Sequence, residues 1–267
     1  MTNENISAPP AWMAALEYRA VAERAQMSAM LPALRRLPKG DGHPVLIFPG
    51  FTTGDRSTQP LRRLLRDLDY RTYGWGLGVN VGPTRRILDG IFDRLEKAHD
   101  RQGERVSVIG WSLGGIYARE LARARPDLVR QVITLGSPIQ MIENDTSSAS
   151  RIWDSLRRYH APGFRSPERE ADRPLLAVPA TSIYTRTDGV VNWKACLIRK
   201  SDRTENIRVF GSHCGLGFNT AAIYAIADRL AQPQDQWRHF SAPWYLRSAF
   251  PCAQDLDRSK LPHAVTT

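Results

Sequence analysis

The residues most able to do chemistry lie at 110–114, which read Gly-Trp-Ser-Leu-Gly. An apolar run typical of a strand precedes them, and a helical pattern of apolar residues follows them. A serine on a sharp turn between a strand and a helix presents its hydroxyl at the end of the strand, and Gly110 and Gly114 leave room for that turn. The pattern predicts that Ser112 is a nucleophile able to attack a carbonyl carbon.

A serine hydroxyl is a weak nucleophile and needs a neighbouring base. Among the six histidines, His213 follows a predicted strand that ends at Phe210 and precedes a predicted helix. Catalytic groups gather at that carboxyl edge in open α/β sheets, and Ser112 lies there too. The other histidines fall before the first strand, at the polar end of a helix, in a long insertion or near the C-terminus: His43, His99, His160, His239 and His263. We predict that His213 is the base.

The base needs a carboxylate that orients its ring and stabilises its charged form. Asp188 follows a predicted strand at 182–185 and precedes His213, which gives the chain order serine, aspartate, histidine. Asp145, which follows the preceding strand, is the alternative position for the acid. The sequence favours Asp188.

A tetrahedral intermediate needs backbone amides that hold its oxyanion. Leu113, the first residue of the helix after the serine, is expected to supply one of them. The other is expected from the loop after the first strand, residues 49–52, which read Pro-Gly-Phe-Thr. We assign it to Phe51, with Thr52 as the alternative.

The positions of these residues depend on strands that alternate with amphipathic helices from residue 44 onward. Strand patterns occur at 45–48, 70–75, 106–109, 129–135, 182–185 and 207–210. Helical patterns lie between and after them, and Pro60 and Pro83 are expected to open the first two helices. This alternation predicts an α/β fold, with a mostly parallel sheet of about six strands and helices on both faces.

The sequence divides into three parts. Residues 1–42 form an N-terminal helical segment, with a helix at 10–31 that Pro32 is expected to end or bend. Residues 43–235 form the α/β domain, and residues 236–267 form a C-terminal tail.

An interval at about 139–175 breaks the alternation of strands and helices. It is too long for a structureless loop in a compact domain, so we predict an insertion with helical content. Trp153 in this insertion, together with Phe51 and Trp75, is a candidate for the wall of an apolar pocket.

The composition is that of a globular protein with a formal net charge of +10. Acidic residues alternate with the basic ones and no nucleic-acid-binding signature is present, so we expect no nucleic-acid partner. No apolar run approaches the ~18 residues that a membrane span needs, and the first residues lack a signal-peptide pattern. We therefore expect a cytoplasmic protein, with the N-terminal helix or the insertion as the candidate for weak contact with a membrane surface.

The sequence gives no positive sign of a cofactor or metal. Residues 76–82 resemble a dinucleotide-binding fingerprint, but the last glycine comes one residue late and no acidic residue ends the following strand. We expect this segment to be a loop that borders the pocket. Cys196, Cys214 and Cys252 lack metal spacing, and we expect free thiols, with a Cys196–Cys214 link as the alternative.

Four motifs taken in order resemble the α/β-hydrolase superfamily and, within it, bacterial lipase- and esterase-like serine hydrolases. They are PGF at 49–51, GWSLGG at 110–115, TDGVV at 187–191 and GSHCGLG at 211–217. The resemblance spans about residues 43–233. It implies the α/β-hydrolase fold, a triad of Ser112, Asp188 and His213, and a lid formed by the insertion.

The first hypothesis for function is hydrolysis of a carboxylic ester through an acyl-enzyme intermediate. Hydrolysis of a thioester, or acyl transfer to an alcohol, would use the same residues and is the second hypothesis. A non-catalytic binding scaffold is the third. The sequence leaves the acyl chain, the alcohol and the oligomeric state open.

Overall fold

A computed structural model describes residues 5–164 and 167–254 of the chain. Its centre is a six-stranded sheet whose strands all pair in parallel, in the order β2-β1-β3-β4-β5-β6. The strands are β1 Pro44–Phe48, β2 Arg71–Gly74, β3 Val106–Trp111, β4 Val129–Leu135, β5 Ala180–Tyr184 and β6 Thr204–Arg208. The predicted α/β class and parallel sheet are confirmed.

Helices cover the sheet on both faces. They are α1 Ala11–Ala15, α2 Arg19–Leu34, α3 Asp55–Asp67, α4 Arg85–Asp100, α5 Leu113–Ala124, α6 Ser150–Leu156 and α7 Thr220–Leu230. One apolar core joins α2, α3 and α7 to the sheet, and a second joins α4 and α5 to its other face. The central strands are buried on every residue because both faces are covered.

Two prolines lie inside helices rather than at their ends, so both boundaries were predicted wrongly. Helix α2 continues past Pro32 to Leu34, and α3 begins five residues before Pro60, at Asp55. A proline removes one helical hydrogen bond, but packing of buried leucines such as Leu34 outweighs that loss. The third proline, Pro83, lies just before Thr84, which caps α4 by accepting from the Ile87 amide.

Strand β6 also differs from its prediction of 207–210, because it begins three residues earlier and ends two residues earlier. Its first residues, Thr204, Glu205 and Asn206, are polar yet buried. Glu205 forms an ion pair with Arg229 at 2.8 Å, so its burial does not leave a charge unpaired. A search for apolar runs misses such a strand.

The chain between β4 and β5 contains α6, and its later part is attached to α5 by charged pairs. Glu170 pairs with both Arg119 and Arg123 of α5. No helix in the two described ranges combines the length and the apolar character needed to cross a membrane. Residues 236–254 follow α7, and the rest of the predicted tail, including His263, lies outside the described residues.

Candidate active site

Ser112 occupies the sharp turn between β3 and α5. Its backbone has φ 51° and ψ −122°, a conformation that is costly for a residue with a side chain. A Cβ atom at Gly114 would lie 2.7 Å from the carbonyl oxygens of Phe48 and Pro49, and one at Gly110 would meet the backbone of Gly115. The two glycines therefore allow the tight turn that holds Ser112 at the end of β3.

Asp188 and His213 form a buried pair beyond the ends of β5 and β6. His213 Nδ1 lies 2.7 Å from Asp188 Oδ2. The other carboxylate oxygen accepts the amides of Val190 at 2.8 Å and Val191 at 2.7 Å. Both oxygens of Asp188 are thus engaged, and the carboxylate is fixed against the imidazole ring.

The surroundings of His213 favour its charged form. Burial lowers the pKa of the ring, but the charge and hydrogen bond of Asp188, with the charge of Glu17, raise it further, so the pKa lies above its ordinary value. A carboxylate beside an imidazole stabilises the imidazolium. His213 can therefore hold a proton that it takes from a neighbouring group.

The end of β4 joins Ser112 to this pair. The Ser112 amide donates to the Leu135 carbonyl at 2.8 Å. The next residue, Gly136, has φ +55°, and a Cβ there would lie 3.0 Å from His213 Nδ1 and 3.2 Å from Asp188 Oδ2. The serine and the pair therefore occupy the same part of the sheet edge.

Ser112 and His213 do not form a hydrogen bond with each other in the described residues. The structure thus brings Asp188 into contact with His213 and places Ser112 at the same sheet edge. The hydrogen bond from the Ser112 hydroxyl to the imidazole ring is not formed. Hydrogen bonds of this kind are often long in a site without substrate and tighten when one binds.

Trp111 connects the strand before the serine to the loop that carries His213. Its indole Nε1 donates to the His213 carbonyl at 3.0 Å. A Cβ at Gly217 would lie 2.5 Å from the indole ring, and Phe218 packs edge-on against it at 5.6 Å between centroids. The residue before the serine therefore helps to fix the position of the histidine loop.

Two backbone amides near Ser112 lack an acceptor among residues 5–164 and 167–254. Leu113 opens α5, so its amide lies in the first helical turn, where no carbonyl of the helix reaches it. The Phe51 amide also has no acceptor there, whereas the Thr52 amide donates to the Asn80 carbonyl at 2.7 Å. The Thr52 amide, the alternative donor, is therefore already engaged, whereas the Phe51 amide is free of an acceptor in this part of the chain.

Asn80 supports the loop that contains Phe51. Its side-chain Nδ2 donates to the Pro49 carbonyl at 3.0 Å, and its amide donates to the Thr53 carbonyl at 2.8 Å. Asn80 belongs to the glycine-rich segment 76–82, which forms a loop as predicted, although none of its residues lines the cavity beside Ser112. Nothing in the sequence marks Asn80 beyond its position in a glycine-rich segment.

The alternative acid, Asp145, does not contact His213. It forms an ion pair with Arg169 at 3.0 Å, and both side chains are essentially inaccessible. Its carboxylate also accepts the Ile6 amide at 2.7 Å and the Ile142 amide at 2.9 Å. Asp145 therefore anchors backbone and a buried arginine, and the structure brings Asp188 rather than Asp145 to His213.

A cavity of about 330 Å³ opens beside Ser112. Phe51 and Trp153 line it and contact each other, with ring centroids 5.4 Å apart. Trp75 is absent from its walls, since it is fully buried and stacks on Tyr117 at 6.5 Å between centroids. The walls are mainly aliphatic and aromatic, so the cavity suits an apolar group next to the serine hydroxyl.

The cysteine thiols form no disulfide in the described residues. Cys196, Cys214 and Cys252 are all free, so the alternative of a Cys196–Cys214 link is wrong. Burial raises the pKa of the Cys196 thiol well above its ordinary value, and the pKa of Cys214 is raised to about 12 by burial and the nearby Glu17 carboxylate. Both thiols are therefore protonated and weakly reactive at neutral pH.

The N-terminal segment, which we define as residues 5–34, lies against the loops of Asp188 and His213. Glu17 accepts the amides of Gly189 at 2.8 Å, His213 at 3.0 Å and Cys214 at 2.7 Å. Sequence reasoning missed this contact, because a glutamate in an amphipathic helix normally faces solvent and nothing in its spacing marks it.

Arg19 and Glu23 of the same segment make similar contacts. Arg19 donates to the carbonyls of Thr187 at 3.0 Å and Gly211 at 3.2 Å. Glu23 accepts from the Ser212 amide at 3.0 Å and the Ser212 hydroxyl at 2.6 Å. The loops of Asp188 and His213 are thus held by the N-terminal segment as well as by their contact with each other.

Comparison with known proteins gives a consistent result. Residues 84–199 match the family model of the PGAP1-like alpha/beta domain. The chain is 25% identical over 174 residues to the mouse protein named serine hydrolase BPHL, over 60% of this chain and 56% of that protein. The chain thus spans little more than half the length of that relative.

Solved structures share the architecture at low sequence identity. Lipase B of Aspergillus fumigatus superposes with a TM-score of 0.55 at 18% identity, over 76% of this chain and 58% of the lipase. A structure of the metagenome-derived lipolytic enzymes LipS and LipT superposes with a TM-score of 0.50 at 15% identity, over 72% of this chain and 93% of that one. The α/β-hydrolase fold is confirmed, and lipolytic enzymes are among the solved structures that share it.

Proposed function

We propose that the protein is a serine hydrolase that cleaves carboxylic esters, with Ser112 as nucleophile, His213 as base and Asp188 as the acid that orients the base. The observation that carries this proposal is the buried Asp188–His213 pair, 2.7 Å between Nδ1 and Oδ2, beside a strained serine at the same sheet edge. A buried carboxylate–imidazole pair next to an elbow serine is the arrangement that activates a hydroxyl.

The reaction proceeds in two halves. His213 takes the hydroxyl proton of Ser112 as Oγ attacks the ester carbonyl, and the amides of Phe51 and Leu113 hold the oxyanion. The tetrahedral intermediate collapses, the alkoxide leaves with the proton from His213, and an acyl-serine remains. Water then attacks the acyl-serine and gives a proton to His213. His213 passes this proton to Ser112 Oγ as the second tetrahedral intermediate collapses, which releases the carboxylic acid and the free serine.

The cavity beside Ser112 supports an acyl ester with an apolar group as substrate. Its walls offer aliphatic and aromatic surface, including Phe51 and Trp153. Part of the chain between β4 and β5 lines it, including Trp153 of α6. This segment acts in the proposal as the lid of the site.

The experiment that tests the function compares Ser112→Ala with the wild-type protein on a p-nitrophenyl ester. We expect kcat to fall by a factor on the order of 10⁴ or more, because the nucleophile is lost. Ser28→Ala, at an exposed serine of α2, is the matched control and keeps wild-type activity. A Ser112→Ala protein with full activity contradicts the proposal.

A fluorophosphonate probe adds a second readout. It phosphonylates an activated serine, so the modified peptide should contain Ser112 and the label should be absent from Ser112→Ala. Matched ester, thioester and alcohol-acceptor assays then distinguish ester hydrolysis from the other acyl reactions. A protein that never reacts with the probe is a scaffold rather than a hydrolase.

Contact with an anionic membrane surface is part of the proposal. Trp12, Tyr18 and Val21 of the N-terminal segment are 62%, 82% and 73% exposed, and the chain carries a formal charge of +10. Aromatic side chains and basic charge favour a negatively charged interface. Co-sedimentation with vesicles containing phosphatidylserine, but not with phosphatidylcholine alone, is expected, and equal recovery from both contradicts it.

We also place the protein in the cytoplasm. Three free cysteines fit a reducing compartment, where thiols do not pair. Fractionation of the source cells tests this placement.

A further inference from the structure

The N-terminal segment inserts a carboxylate between the two loops on which the proposed chemistry depends. Glu17 Oε1 accepts from Gly189, the residue after Asp188, and from His213 itself, while Oε2 accepts from Cys214. Burial raises the pKa of Glu17, but these three amides and the charge of His213 outweigh it, and the pKa lies below its ordinary value. Glu17 is therefore an anion at neutral pH.

The glycines of the two loop motifs fit this contact. A Cβ at Gly189 would collide with the Met13 carbonyl, and one at Gly215 would collide with the Glu23 carboxylate. A Cβ at Gly211 would lie 2.6 Å from Glu23 Oε1. The loops lack side chains where the N-terminal segment approaches them, which indicates that its docking is part of the native site.

The charges that face His213 come from each element packed against it. Asp188 pairs with the ring, and Glu17 binds its amide. Glu23 binds Ser212, and Arg19 donates to the carbonyls of Thr187 and Gly211, one in each loop. The Glu17 charge raises the pKa of the ring, whereas the Glu23 carboxylate binds the amide and hydroxyl of the preceding residue, Ser212.

We propose that Glu17 is a positioning residue of the active site: it fixes the loops of Asp188 and His213 in one arrangement and places a second negative charge beside the imidazolium formed in the reaction. This inference rests on the proposed function of His213 as base. It assigns the N-terminal segment a part in the chemistry, although none of the four sequence motifs includes a residue of that segment.

The test uses three variants of the full chain. Glu17→Gln keeps the shape and part of the hydrogen bonding but removes the charge. Glu17→Asp keeps the charge but shortens the reach. Glu23→Gln removes the charge of the neighbouring glutamate, which binds Ser212 in the loop of His213 and makes no hydrogen bond to His213. Thermal melting of each variant identifies any that fails to fold.

The decisive measurement is the pKa of His213. It is obtained from an NMR titration of the ring protons and from the fall in kcat/KM at acidic pH, the acidic limb of the profile. Loss of the Glu17 charge destabilises the imidazolium, so in Glu17→Gln the pKa and the limb move to lower pH by about 0.5 to 1 unit. We expect kcat to fall about 10-fold in Glu17→Gln and Glu17→Asp, because the loops lose their shared anchor.

Glu23→Gln should lose thermal stability without a change in the pKa of His213. An unchanged pKa in folded Glu17→Gln, or an equal shift in Glu23→Gln, overturns the inference. The NMR titration needs no substrate, so it reports on Glu17 even if the protein does not hydrolyse esters. Wild-type protein that neither turns over esters nor reacts with the probe instead overturns the proposed function, and with it the catalytic part of this inference.

Discussion

His213 Nδ1 lies 2.7 Å from one oxygen of Asp188, whose other oxygen is held by two loop amides. The carboxylate cannot rotate away from the ring without breaking these bonds. The pair is buried, so water screens its attraction poorly. Asp188 therefore fixes the orientation of the imidazole ring and raises its pKa.

The pH dependence follows from the raised pKa of His213. The base must be neutral, so kcat/KM should fall as pH decreases through a pKa above the ordinary 6.5. Asp188→Asn removes the charge that raises the pKa, so the limb moves to lower pH, and kcat falls by about 10³ to 10⁴. Asp202→Asn, at an exposed aspartate, is the control, and an identical shift there contradicts the assignment.

The support that Asn80 gives to the Phe51 loop predicts a defect confined to the chemical step. Asn80→Ala removes the side-chain bond to the Pro49 carbonyl and loosens the loop that presents the Phe51 amide. We expect kcat to fall about 10-fold with little change in KM, since the oxyanion exists only along the reaction path. Val79→Ala, at an exposed neighbour, should behave as wild type, and a change in KM alone would falsify this role.

The apolar cavity predicts how activity depends on acyl length. Each added methylene that enters the cavity contributes up to about 0.8 kcal/mol, so kcat/KM should rise about 3- to 4-fold per carbon until the cavity is full. Trp153→Ala enlarges the cavity and should move the optimum to longer chains. Assays with p-nitrophenyl esters of increasing length measure this, with the exposed Ile152→Ala as control. A flat profile in the wild type excludes the cavity as the acyl site.

The buried Asp145–Arg169 pair predicts a loss of stability rather than of chemistry. Asp145→Asn leaves the Arg169 charge uncompensated, so the free energy of unfolding should drop by about 3 to 5 kcal/mol in urea titration. The kcat of the folded fraction should stay within a few-fold of wild type. Asp154→Asn, on the exposed face of α6, controls for the loss of a carboxylate. A catalytic defect as large as that of Asp188→Asn would instead make Asp145 the acid.

The sequence revealed those parts of the fold that depend on local rules. The strand and helix around Ser112 lie where the pattern predicts, because a buried strand, a tight turn and an amphipathic helix each follow from nearby residues. Strand β6 was misplaced because its buried polar residues are paired by partners distant in sequence, such as Arg229 with Glu205. Local hydropathy contains no information about those partners.

The candidate site divides in the same way. Asp188 and His213 are brought together as predicted, since both follow strands that end at one sheet edge. Glu17 is 196 residues away from His213 along the chain, and only the packing of the N-terminal segment brings them into contact. A pattern of residue types within one stretch of sequence cannot show such a meeting.

The four motifs do not include the N-terminal segment, although that segment binds the loops of Asp188 and His213. The four motifs and the whole sheet lie after residue 43, yet the loops of Asp188 and His213 bind the carboxylates of Glu17 and Glu23, which precede it. A protease that cut the chain before β1 would leave every motif intact while exposing the amides of those loops to water. In the proposed mechanism, loss of residues 5–34 therefore impairs the site although every motif remains.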